Sequence, residues 1–150
     1  MLFALIPLLV ATMSPSGAST PESIDLRQPY RFSVLLSGSS ELAGNTGRRL
    51  EGDADGSGVL QLTIAPGERR VCYDFAVARV ATPLMAHIHR NIDHGTGPTV
   101  VTLFTGPGGK LEDCVMWTEK WLDAIVSDPA DFYVSLATTE YPDGALRGQL

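Results

Sequence analysis

The chain has 150 residues, 44% of them hydrophobic, a formal net charge of −6 and an isoelectric point near 4.9. That length suits one domain with a sizeable core. Lys and Arg total 11 against 17 Asp and Glu, and adjacent basic pairs occur only at Arg48-Arg49 and Arg69-Arg70. Such a surface repels phosphate backbones and excludes nucleic acid as a partner.

Residues 1–18 read as a secretory signal peptide. Residues 2–13 are an apolar run, and Ser16-Gly17-Ala18 offers small residues for cleavage after Ala18. No Lys or Arg precedes the run. Pro7 interrupts it, and it is short for a bilayer span. With the leader removed, no membrane span is expected, and the protein is periplasmic or secreted. Residues 19–29 form a polar lead-in, and 30–150 form the folded domain.

Short alternating runs dominate that domain. Tyr30, Phe32, Val34 and Leu36 share one face, with Arg31, Ser33 and Leu35 on the other. Residues 59–64 form a second strand, entered through Asp53-Ala54-Asp55-Gly56-Ser57-Gly58. Val71, Tyr73, Phe75 and Val77 mark a third. Further strands are predicted at 84–89, 99–104, 131–137 and 144–150. Gly- and Pro-rich turns separate them, as at Gly106-Pro107-Gly108-Gly109 and Tyr141-Pro142-Asp143-Gly144. One stretch has helical period: Trp117, Trp121, Leu122, Ile125 and Val126, with Thr118 as N-cap and an end before Pro129. Strands in this number with one inserted helix predict an all-β Greek-key β-sandwich or barrel.

Asp53-Ala54-Asp55-Gly56-Ser57-Gly58 resembles the start of a calcium loop. Its twelfth position, however, is Ile64, where a bidentate Glu is needed, so a hairpin turn is expected. Arg147 is expected in an ion pair on the outer face, and Trp117 and Trp121 in helix-to-sheet packing. Cys72 and Cys114 are the only cysteines. In an exported protein such a pair is read as a disulfide; a Cys/His metal site is the competing reading.

All three histidines fall in one short run, at His87, His89 and His94. Neutral imidazole is the commonest ligand for borderline metals. On a strand, His87 and His89 share a face. Leu84, Ala86 and Ile88 claim the core side, so both histidines point outward. Phe132, Val134 and Leu136 point inward in the same way, and Tyr133, Ser135 and Ala137 outward. His94 can curl back to a shared ion, and Asp93 or Glu41 can add an oxygen ligand. Copper is the first expectation and zinc the alternative.

Several segments resemble the CHRD domain, a module common in bacterial exported proteins. These are residues 32–41, residues 58–64, Ala86-His87-Ile88-His89 with residues 97–104, and residues 132–136 followed by residues 141–150. The resemblance implies an immunoglobulin-like sandwich, similar in general design to copper–zinc superoxide dismutase. That enzyme also takes ligands from an outward-facing His-x-His strand. The chain departs from the pattern at Leu42-Ala43-Gly44, and at Ala137, where the family often has a histidine. His94 is the expected substitute.

The leading expectation is an exported domain that binds a transition metal through His87, His89 and His94, for metal handling rather than turnover. The second is an interaction or adhesion module of the cell envelope with a protein partner. The third is superoxide dismutation.

Overall fold

The computed structural model describes residue 25 and residues 28–40, 52–92 and 97–150. The leader, most of the lead-in, Glu41, Asp93 and His94 lie outside the described residues. Among those described there are eight strands and one α-helix. In chain order they are β1 (Tyr30–Ser37), β2 (Ser57–Ala65), β3 (Arg70–Ala78), β4 (Pro83–Arg90), β5 (Thr99–Thr105), β6 (Glu112–Met116), α1 (Glu119–Ser127), β7 (Phe132–Thr138) and β8 (Leu146–Gln149). Their order in the sheet is β5-β4-β7-β8-β1-β2-β3-β6, and every pairing is antiparallel.

The β8–β1 junction divides this sheet into two halves. A single registered pair, Ser37 with Arg147, joins β1 to β8. A Cβ on Gly148 would sit 2.5 Å from the Leu35 carbonyl oxygen, so only glycine lets the two strands approach this closely. β5 and β6 end the sheet. The Trp117 indole N–H, just past β6, donates to the Val100 carbonyl of β5 and ties these ends together. The result is a nearly closed barrel with the character of a sandwich.

Alternation decides what each strand buries. Val34 and Leu36 of β1 are buried, whereas Leu35 between them is 79% exposed. Leu60, Leu62 and Ile64 of β2 face the same interior, as do Ala86 and Ile88 of β4 and Val134 and Leu136 of β7. Tyr73, Phe75 and Phe104 meet there with ring centroids 5.8–6.1 Å apart. Such aromatic pairs each add about 0.5–1.5 kcal/mol beyond the area they bury. Helix α1 closes one end with Leu122, Ile125 and Val126.

The structure adds one strand to those predicted. β6 carries Glu112, Asp113, Cys114 and Met116 exposed at the sheet edge, so its sequence lacks a buried alternating face. Its place is set by pairing with β3, where Cys72 is registered directly opposite Cys114. The two form a disulfide, with Cα atoms 4.0 Å apart and a sequence separation of 42.

The helix begins directly after Thr118, where the expected N-cap places it. Trp117 precedes it and packs its indole against the core, as expected of its packing role. Thr118 occupies the N-cap position, but its side chain makes no capping bond. Its carbonyl accepts from the Trp121 and Leu122 amides instead. At the entry to β2, the Gly56 amide donates to the Asp53 carbonyl at 3.0 Å, closing a tight turn. The Asp53 amide donates to Ala145, so the turn is anchored beside β8.

Candidate metal-binding face

β4 runs between β5 and β7. Its registry with β7 sets His87 opposite Ser135 and His89 opposite Tyr133. On the β5 side the register shifts twice, between Ala86 and His87 and between Ile88 and His89. Bulges of this kind bend and twist a strand locally. Ala86 and Ile88 are fully buried, so parity directs both histidines to the opposite face. The outward orientation expected from sequence is therefore the one observed. His87 is half-buried, while His89 is only 8% exposed. The two ring centroids are 5.7 Å apart.

His89 is held on several sides. Its Nδ1 lies 2.9 Å from the Gly97 carbonyl oxygen. A carbonyl can only accept, so Nδ1 carries the proton and Nε2 keeps a lone pair. The Thr99 hydroxyl is a more distant neighbour of the same nitrogen, at 3.5 Å. The Tyr133 ring stacks on the imidazole. Among the described residues His87 has an edge-to-face ring contact with His89 and no hydrogen bond.

Burial holds both imidazoles below their usual pKa, because the low-dielectric surroundings disfavour the cation. For His87 the neighbouring His89 adds to this. For His89 the Gly97 carbonyl opposes the shift and the Arg147 charge reinforces it. Both rings are therefore neutral near pH 7, the form that ligates metals.

Tyr133 and Arg147 complete this face. Tyr133 is 1% exposed although it points away from the core. The Arg147 guanidinium, from β8, lies 3.3 Å from the Tyr133 ring centroid. It also donates to Asn91 Oδ1 at 3.3 Å. Asn91 in turn donates to the Ala130 carbonyl at 2.7 Å and to Gln149 Oε1 at 3.3 Å. The outward position expected for Arg147 is found, but the side chain is buried over an aromatic face. Parity placed Tyr133 on this side from sequence; nothing in the local pattern marked it as the stacking partner of His89.

The structure brings together His87 and His89, with Gly97, Tyr133 and Arg147 around them. It does not bring in the cysteines, which are bonded to each other on β3 and β6. Ala137, opposite Met85, supplies no donor. His94, Asp93 and Glu41 lie outside the described residues, and among those described no three His, Cys, Asp or Glu side chains gather to hold a metal.

No curated protein and no solved structure matches the chain significantly. The family profile of the CHRD domain, by contrast, matches residues 32–150, which includes every strand from β2 to β8 and most of β1. This chain therefore belongs to the CHRD domain family.

Proposed function

We propose that this is an exported CHRD-domain protein that binds a transition metal, copper first and zinc as the alternative, through His87 and His89. The observation that carries this reading is the 2.9 Å contact from His89 Nδ1 to the Gly97 carbonyl. Metal-ligating histidines characteristically donate their other ring N–H to a carbonyl or carboxylate, which fixes the tautomer and raises ligand basicity. His87, neutral and without a described hydrogen bond, has its nitrogens available for the same ion. Two imidazoles suit copper or zinc, and a third donor is needed for a closed site. His94 is proposed as that donor. The role is metal handling.

The experiment is metal titration of untagged, chelator-stripped protein. We expect near-stoichiometric copper uptake that falls sharply in His87→Ala and in His89→Ala. Undiminished uptake in the double variant would refute the site. Bound metal should also raise stability, by about 2.7 kcal/mol when free metal is 100 times the Kd.

Export rests on the apolar run at 2–13, the small residues before Ser19 and the disulfide, a bond that persists in oxidising compartments. A mature protein beginning at Ser19 is the expected N-terminal sequencing result.

One observation favours a second reading, an interaction or adhesion module. Leu35, Val59 and Ala76 are registered across β1, β2 and β3 on the outer face, giving an apolar row exposed at both ends, with Leu35 the largest exposed side chain in it. Partner binding that survives both chelation and His87→Ala would favour this module over metal handling.

A further inference from the structure

We infer that Tyr133 is a positioning residue for His89, fixing the plane and tautomer of that imidazole through the single residue Gly97. The consequence for metal affinity rests on the function proposed above; the positioning itself does not.

Tyr133 is the direct cross-strand partner of His89, and the two rings are within 8° of parallel. Both ends of Gly97 are tied to this stack. Its amide donates to the Tyr133 hydroxyl at 3.2 Å, and its carbonyl accepts from His89 Nδ1 at 2.9 Å. The base of the same connection is closed by the Arg90 amide donating to Pro98 at 3.0 Å. A Cβ on Gly97 would fall 1.6 Å from the Arg90 carbonyl oxygen, so this close approach needs glycine. Arg147 then bears on the Tyr133 ring from β8, the strand on the far side of β7 from β4. The phenol is confined between the two neighbouring strands and cannot tilt without losing a contact to one of them.

This confinement decides which nitrogen of His89 is protonated. With the proton on Nε2, the Nδ1 lone pair would face the Gly97 carbonyl oxygen at 2.9 Å, two acceptors in contact. With the proton on Nδ1 the contact is a hydrogen bond. Tyr133 therefore holds Gly97 where only one tautomer is favourable. A buried phenol on the outward face of a sheet has this role open to it because both its ring and its hydroxyl are engaged.

The test uses metal-free, full-length folded protein with 15N-labelled histidine. Long-range 15N–1H correlation identifies the protonated nitrogen, and amide exchange reports on Gly97. Wild type should show His89 protonated at Nδ1. Tyr133→Phe keeps the stack and loses the hydroxyl; Gly97 exchange should rise about five- to tenfold, with the tautomer retained. Tyr133→Leu removes the stack and should give a mixture containing the Nε2-protonated form. Circular dichroism and an intact disulfide establish that each variant is folded. A folded Tyr133→Leu protein with His89 wholly Nδ1-protonated and Gly97 still protected would overturn the inference; if that variant fails to fold, unchanged Gly97 exchange in Tyr133→Phe overturns it.

Copper titration forms the second arm. Tyr133→Leu should weaken binding roughly 10- to 100-fold and alter the copper(II) paramagnetic resonance spectrum, with Tyr133→Phe intermediate. Wild type that takes up no copper would sink the metal reading, while the tautomer arm would still decide the role of Tyr133.

Discussion

The imidazole of His89 lies face to face with the phenol of Tyr133, their centroids 5.0 Å apart. One residue comes from β4 and the other from β7, and their directly opposed register brings them together. The stack buries a histidine that strand parity directs away from the core. It thereby converts a solvated surface ring into one with a fixed environment.

The first prediction concerns pH. Burial lowers the pKa of both His87 and His89 below the usual value of about 6.5. The neighbouring His89 also disfavours protonation of His87, and Arg147 that of His89, against which the Gly97 carbonyl works without reversing the direction. As pH falls through about 6.5, the unfolded chain takes up protons before the folded one does. Metal-free protein should lose stability from there downward, and the loss should level off below the depressed folded values. Above that window the histidines contribute no pH dependence. Urea unfolding between pH 7.5 and 5 should show a steeper decline in wild type than in the His87→Gln/His89→Gln variant. Parallel curves would contradict the assignment.

The second concerns the disulfide. Cys72 and Cys114 close a loop with a sequence separation of 42 and join edge strand β6 to β3. In the chain-entropy account a bridge of this span contributes about 4 kcal/mol. Cys72→Ser in oxidised samples should therefore melt well below oxidised wild type and close to reduced wild type. A melting point equal to that of oxidised wild type would show that the bridge adds nothing.

A third prediction tests the close approach beneath the histidines. Gly97→Ala must push the Gly97 peptide off the Arg90 carbonyl. Overpacking of this kind costs roughly 1–3 kcal/mol. The expected signs are lower stability in urea and loss of the single His89 tautomer. An alanine variant as stable as wild type would mean that the chain relaxes without cost.

The fourth compares the two faces of the sheet. Ile88 is fully buried between the two outward histidines, so Ile88→Ala should cost about 2–5 kcal/mol. Leu35 is 79% exposed, and Leu35→Ser should change stability by no more than about 0.5 kcal/mol. Equal costs at the two positions would break the inside–outside assignment on which the candidate site depends.

Much of this architecture was legible in local pattern. The alternation of Val34 and Leu36 with Leu35, and of Ala86 and Ile88 with His87 and His89, assigns faces before any strand is paired. The helix was visible in the spacing of Leu122, Ile125 and Val126, all buried as that period requires. β6 was not visible, because an edge strand that exposes most of its side chains leaves no alternating apolar signature. Thr118 holds the expected N-cap position, but its hydroxyl makes no bond to the first turn, a detail its place in the sequence does not decide.

What the chain determined by itself was therefore which side chains share a face, because that follows from a two-residue period along each strand. Only the tertiary structure decided which faces meet. β7 lies between β4 and β8, so Tyr133 contacts both His89 and Arg147. Those neighbours are fixed by long-range hydrogen-bond register and by the shared core beneath, and a run of residues carries neither in its own spacing.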